Sequence, residues 1–356
     1  MRRGAEQSLY RDAAARQPKT QVKKITEYGH PSQKVPKQSK LGWGLTVSKL
    51  LLRNPGAIKK LIVMDPDEPR YVRPQREYEL PVYREGMKHC TSNERYLRPT
   101  RWCNPREPLV IALANELGAY ELSDWEFADA AFWWARTKVE SEILPFDSVS
   151  ATLKRGTGTC LHVICLWIAL CRAAGIKARY KEFQTMLNDV AIDLNSAEVL
   201  GLTGTEQAMI PDLLDTGITK RQGEACIDGK WVVADVGMRP ELYAQSGTPI
   251  LKLGEDATDL ALVPIPGTIK HSESLPLMLG TTTRLASWFA PVMMERSNVI
   301  HAAPLGKKII EEAGGVEAYD RNARRRNELL SATWLTKDIA RLTEDAERKK
   351  VVVFEQ

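Results

Sequence analysis

The 356-residue sequence predicts an α+β fold in which a helix with a cysteine at its N-terminus packs on an antiparallel sheet, with extra helices at both ends. Three observations predict it. Apolar residues keep helical spacing over 105–120, 123–143 and 160–174. An alternating strand pattern, KARYKEF, follows at 177–183. A hairpin pattern, GEACIDGKWVVADV, covers 223–236 and turns at Asp228-Gly229, a pair suited to tight connections.

Each element has a local reason. In 105–120, Leu109, Leu113, Ala114 and Leu117 share a face and Gly118 closes the helix. In 123–143, Ser123 and Glu126 form a capping box, and Trp125, Ala128, Phe132, Ala135 and Val139 keep helical spacing. The consecutive aromatics Phe132-Trp133-Trp134 read as a wedge against a neighbouring element. Residues 145–156 connect through a short helix, and Gly175 stops the third long helix. A loop with short helices is expected over 184–219, Pro- and Gly-rich chain over 249–267, and mostly short helices over 275–320. The most apolar run, LPLMLGTTTRLASWFAPVMM (275–294), contains Arg284, three threonines and two prolines. It reads as one or two buried helices, with a membrane-surface role as the alternative. Near the N-terminus, 41–64 suggests two short elements around Asn54-Pro55-Gly56, and 65–75 is a Pro-rich boundary. A charged amphipathic helix is expected over 334–354. The organisation that follows is a basic, partly disordered arm (1–75), a compact core (80–245) and a mostly helical C-terminal extension (246–356).

Composition narrows the class. A hydrophobic share of 43% and a charged share of 27% are those of a globular protein. Six cysteines are too few for a disulfide scaffold. They are expected to be reduced, in the cytoplasm; the first residues lack the apolar stretch of a secretory signal, and no transmembrane segment is expected. Residues 1–60 hold 14 Lys+Arg against 3 Asp+Glu, and the rest of the chain 36 against 42. A basic arm of this kind suits an anionic partner such as nucleic acid, lipid or an acidic surface, or simply remains solvated.

The chemistry points to GTGTCLHVICLWIALCRAAGIKARY, 156–180. A thiol attacks as its thiolate, and a helix N-terminus favours that anion. Cys160 stands where Thr157-Gly158-Thr159 feeds the helix, and the glycines allow backbone N–H groups to approach an oxyanion. Cys165 and Cys171, further along, read as small core residues. The glycines lack a Gly-Lys-Ser/Thr ending, which excludes a nucleotide-phosphate loop. His89, Cys90 and Cys103 lack zinc-ligand spacing and read as structural. No metal and no cofactor is expected.

This order of parts resembles the transglutaminase-like superfamily, a branch of the papain-like cysteine enzymes. The matching residues are Gly158-Thr159-Cys160, Leu170-Cys171-Arg172-Ala173-Ala174-Gly175-Ile176-Lys177-Ala178-Arg179-Tyr180, Ile227-Asp228-Gly229-Lys230-Trp231-Val232 and Asp235, within about 95–240. The resemblance implies a nucleophile at Cys160 and a base-orienting carboxylate at Asp235. It also implies a catalytic histidine at the position occupied here by Lys220. With Ile227 paired to Lys230, Gln222 faces Asp235, and alternation sets Lys220, Gln222 and Asp235 on one face. Lys220 reads either as a base with a lowered pKa or as an ordinary strand lysine.

The chain has five histidines. His162 should point about 200° around the helix from Cys160; His271 and His301 lie outside the matched region. Two functions follow. One is a thiol enzyme, a hydrolase or acyltransferase acting on an amide or thioester bond of a peptide or protein through a Cys160 acyl-enzyme. The other is a catalytically degenerate fold used for binding or assembly, with its basic arm on nucleic acid or an acidic partner.

Overall fold

A computed structural model describes residues 63–186, 217–256 and 267–326; the elements expected over 41–62, 187–216, 257–266 and 334–354 lie outside the described residues. Its elements in chain order are α1 (Pro108–Glu116), α2 (Asp124–Lys138), β1 (Glu140–Ser141), α3 (Val149–Arg155), β2 (Thr157–Gly158), α4 (Cys160–Ala173), β3 (Ala178–Met186), β4 (Gly217–Ile227), β5 (Lys230–Ala234), α5 (Pro240–Ser246), β6 (Lys270–Ser272), α6 (Leu279–Phe289), α7 (Pro291–His301) and α8 (Pro304–Ala313). A further helical stretch covers 316–326.

The sheet is antiparallel, in the order β5-β4-β3-β6. Its hairpin has the expected register, with Ile227 opposite Lys230, and turns through left-handed Asp228 (φ 49°) and Gly229 (φ 76°). The fourth strand, β6, comes from the stretch expected as a C-terminal extension and pairs with β3. Three residues, Lys270–Ser272, were too few to leave a strand pattern in the sequence. The parallel β1–β2 pair was equally illegible.

Helix α4 is the centre of the core. Val163 and every residue from Ile164 to Ala173 are buried, as a helix apolar on all sides requires. Gly175 ends it in the left-handed conformation (φ 87°), and the Ile176 N–H closes back on the Cys171 carbonyl at 2.9 Å. Where α4 crosses the sheet, Gly223 makes room. A Cβ there would sit 2.6 Å from the Trp167 ring. Ala178, Tyr180, Ala225 and Ala234 join Trp167 and the α1, α2 and α3 side chains in one apolar cluster. Phe183, three residues from Tyr180 and therefore on the other face of β3, packs in a second cluster with Tyr243, Ala244, Ile250, Leu251 and Ile310. The sheet is thus covered on both faces.

Two sequence expectations fail on burial. Trp125 keeps helical spacing with Ala128 and Phe132, yet it is exposed; its ring lies at the surface near Gly254, where a Cβ would be 3.4 Å away. The run 275–294 does form two helices, but α6 is not buried. Leu285, Trp288 and Phe289 project to solvent. The aromatic wedge does form: Phe132 is buried and Trp134 meets Tyr78 edge-on, with ring centroids 4.9 Å apart.

The start of α4 is held by a polar clamp. His162 is buried. Its Nδ1 accepts the Thr159 backbone N–H at 3.1 Å, with the Thr159 hydroxyl 2.8 Å away. Accepting there puts the imidazole proton on Nε2, which lies 3.2 Å from Asp147 Oδ1 and also 3.2 Å from the Asp147 backbone nitrogen. Asp147 also takes two hydrogen bonds from Arg155, at 2.7 and 3.2 Å. Burial works against the Asp147 carboxylate, but the bonds from His162 and Arg155 outweigh it and hold its pKa at about 2. Burial lowers the His162 pKa despite Asp147. A second proton would also set Nδ1–H against the Thr159 N–H.

Two predictions follow from this packing. Gly223→Val should drive a side chain into the Trp167 ring and cost about 1–3 kcal/mol, read as a Tm lower by several degrees; an unchanged Tm would mean that β4 and α4 are not in contact. For His162 the folded pKa lies below the ordinary 6.5, so its contribution is complete at higher pH. It is lost as pH falls below about 6.5, at no more than about 1.4 kcal/mol per pH unit. His301 is lowered by burial in the same way. His162→Asn keeps an acceptor for the Thr159 N–H and removes one titration. Its Tm should therefore fall less than that of the wild type between neutral and mildly acidic pH.

Candidate functional site

Cys160 is the first residue of α4, immediately after the extended N-cap Thr159, and its residue is exposed while Cys103, Cys165 and Cys171 are buried. The difference follows from helix geometry. Cys160 precedes the first full turn and looks out of the helix end, whereas Cys165 turns inward to the Tyr180 hydroxyl at 3.0 Å and the Trp102 carbonyl at 3.2 Å. Burial raises the thiol pKa of Cys165 and of Cys171, which leaves both as core residues.

The chain leaving β5 crosses this helix end. Gly237 lies so close that a Cβ on it would be 2.8 Å from Cys160 Cβ, 3.0 Å from its carbonyl oxygen and 3.1 Å from its Cα. Two residues earlier is Asp235, 1% exposed. Its Oδ1 lies 3.7 Å from Lys220 Nζ, whose side chain is 14% exposed. That distance makes an ion pair without a formed hydrogen bond, and Oδ1 has no hydrogen-bond partner among the described residues. β4 and β5 therefore join Lys220 to Asp235, and the Asp235–Gly237 segment joins that pair to the backbone of Cys160.

The alternation that turns Gly223 toward Trp167 turns Gln222 and Lys220 to the opposite face of the sheet. The ion pair thus forms on the side away from α4, at the sheet end that the N-terminus of α4 also reaches. Gln222 is buried on that face, donating to Asp256 Oδ1 at 3.1 Å, and Lys181 pairs with the same carboxylate. No described side chain hydrogen-bonds the Cys160 sulfur. His162, expected about 200° around the helix from Cys160, is held by Thr159 and Asp147. His271 lies on β6, 3.5 Å from Glu224. His301 binds the Ser297 carbonyl at 2.8 Å, and His89 faces the Met87 carbonyl at 3.2 Å.

Sequence reasoning missed Arg136, which is fully buried on α2. Its guanidinium donates to the Asp235 carbonyl at 2.7 Å and to the Tyr243 hydroxyl at 3.3 Å. It also bonds the Leu251 carbonyl and lies over the Phe132 ring at 4.4 Å. Burial lowers its pKa. Arg136 fixes the backbone of Asp235 rather than its carboxylate. An arginine after Phe-Trp-Trp-Ala on an otherwise apolar helix face was the one available signal. Gly237, in the phrase ADVGM, offered none.

Residues 111–236 match the family model described as the Transglutaminase-like superfamily. No curated protein and no solved structure matches the chain. The matched stretch runs from the start of α1 to the segment that bears Asp235, and so takes in the α4 terminus, the sheet hairpin and both partners of the buried ion pair. The chain carries, in residues 111–236, a domain of the transglutaminase-like superfamily.

Proposed function

We propose that this domain is a thiol acyl-transfer site acting on an amide or thioester bond of a peptide or protein. The observation that carries the proposal is the exposed Cys160 at the start of α4, with Gly237 packed against its backbone. In this reading the Cys160 sulfur gives up its proton and adds to the substrate carbonyl. The C–N or C–S bond breaks, and the leaving amine or thiol departs with a proton. The acyl group then sits on sulfur as a thioester until water or an amine takes it, giving hydrolysis or a new amide. The first-turn N–H groups of α4 are the donors that face the negative oxygen of the tetrahedral intermediate.

Lys220 distinguishes this site from its family. As an ammonium beside Asp235 it is a proton donor to a leaving group rather than a base. The pair fixes charge at the sheet end without supplying a shuttle of matched pKa. A slow acyl-transfer enzyme is the expected outcome. The alternative is a domain that keeps the fold for binding or assembly and makes no use of the thiol.

Two experiments test the reading. Alkylation of the folded protein with iodoacetamide, followed by peptide mapping, should modify Cys160 well before Cys103, Cys165 and Cys171; comparable labelling of all four would sink the proposal. The Lys220→His variant keeps a donor toward Asp235 while restoring an imidazole, and should raise turnover of a peptide thioester by at least about tenfold. Cys160→Ala should abolish turnover without lowering Tm. Turnover that survives Cys160→Ala would assign the chemistry elsewhere, and absence of turnover in wild type and Lys220→His alike would favour the binding role.

A further inference from the structure

Helix α6 is amphipathic in the reverse of the usual sense. Gly280, Thr283 and Ser287 face the protein. Gly280 is buried against the Trp102 ring and the Phe146 carbonyl, where a Cβ would come within 2.7 and 3.0 Å. Thr283 accepts the Phe146 N–H at 2.8 Å, and Ser287 is half-buried one turn further on. Leu279 packs against the core, but the other large apolar residues of the helix, and two in the turn before it, face solvent. Leu277 is 66% exposed, Met278 62%, Leu285 51%, Trp288 73% and Phe289 67%. Met278, Leu285, Trp288 and Phe289 recur at helical spacing, so they form one stripe directed away from the body. Folding contributes nothing to hold such residues in water, and a stripe of this kind marks an interaction surface.

Charge and position choose the occupant. Between Glu273 and Glu295 the sequence has no acidic residue, and Arg284 is its one charged side chain. The described chain begins at residue 63, and its first segment is tied to α7, the helix that follows α6 after Ala290. Arg296 binds Glu68 at 2.6 Å, and Glu295 accepts the Tyr71 N–H at 2.8 Å. Residues 1–60 precede that segment in the sequence and carry 14 basic against 3 acidic side chains. A second copy of the chain is a poor fit. Five side chains, three on α6 and two in the turn before it, offer roughly 500 Å², below the ~800 Å² per partner of a stable interface.

We propose that the α6 stripe docks on the surface of an anionic lipid bilayer. Trp288, Phe289 and Leu285 enter the headgroup–acyl boundary, and the exposed Arg284 on the same helix meets the lipid charge, with the basic N-terminal sequence adding to the attraction. Hydrophobic insertion and electrostatic attraction each bind weakly alone and add when both are present.

Co-sedimentation of the full-length protein with vesicles tests this. Vesicles of phosphatidylcholine with phosphatidylserine should carry the protein down at least tenfold better than phosphatidylcholine alone, and raised salt should narrow the difference. Trp288→Ser with Phe289→Ser, both on exposed positions, should leave Tm unchanged and weaken partitioning at least tenfold. The proposal is wrong if the wild type does not sediment with anionic vesicles, or if the double variant sediments equally well. It is also wrong if light scattering shows a wild-type dimer that the double variant converts to monomer without any vesicle binding, since the stripe would then be a contact between copies.

Discussion

The structure depends on how the first turn of α4 is held. A helix N-terminus leaves backbone N–H groups without intrahelical partners, and here a buried imidazole takes the Thr159 N–H. That imidazole is fixed in turn by Asp147, and Asp147 by Arg155. Each member answers a need created by the previous one: the orphan donor needs an acceptor, the neutral imidazole needs an acceptor for its remaining proton, and the buried carboxylate needs a cation. The result is a cysteine at a helix start held by this chain of bonds, and itself exposed. The histidine two residues after Cys160 therefore serves the helix, through Thr159 and Asp147.

The second constraint comes from the sheet. A hairpin with fixed register brings Lys220 and Asp235 together in near-complete burial. A buried pair of this kind is stabilising mainly in the sense that removing one member strands the other, at about 3–5 kcal/mol. Arg136 adds to the same end through the Asp235 carbonyl and leaves the carboxylate to Lys220. The segment from Asp235 to Gly237 then passes over Cys160 so closely that only glycine fits. Sheet polarity, the arginine anchor and the helix terminus thus share three consecutive residues. A change in any of them alters how Cys160 is presented.

Much of this was legible in the sequence because it rests on local rules. The α2 capping box, the stop at Gly175, the Asp228-Gly229 turn and the hairpin register depend on neighbours a few residues apart, and each is found where its residues predict it. Burial of Cys165 and Cys171 and the direction of His162 followed from helical periodicity. What could not be read depends on distant chain. β6 is three residues long and owes its existence to β3. Arg136 reaches carbonyls about a hundred residues away. Gly237 matters only because α4 passes beside it. The exposure of Trp125 and α6 shows the limit of periodicity: the pattern says which residues share a face and is silent on what that face meets.

The central claim is that the Cys160 sulfur carries an acyl group, and direct trapping tests it. Brief incubation of the protein with a peptide thioester at saturating concentration, acid quenching and mass analysis of the digest should show one acyl adduct, on the peptide containing Cys160, removed by hydroxylamine. Acylation confined to lysines, or to another cysteine, or no adduct on a protein that remains folded, would contradict the account.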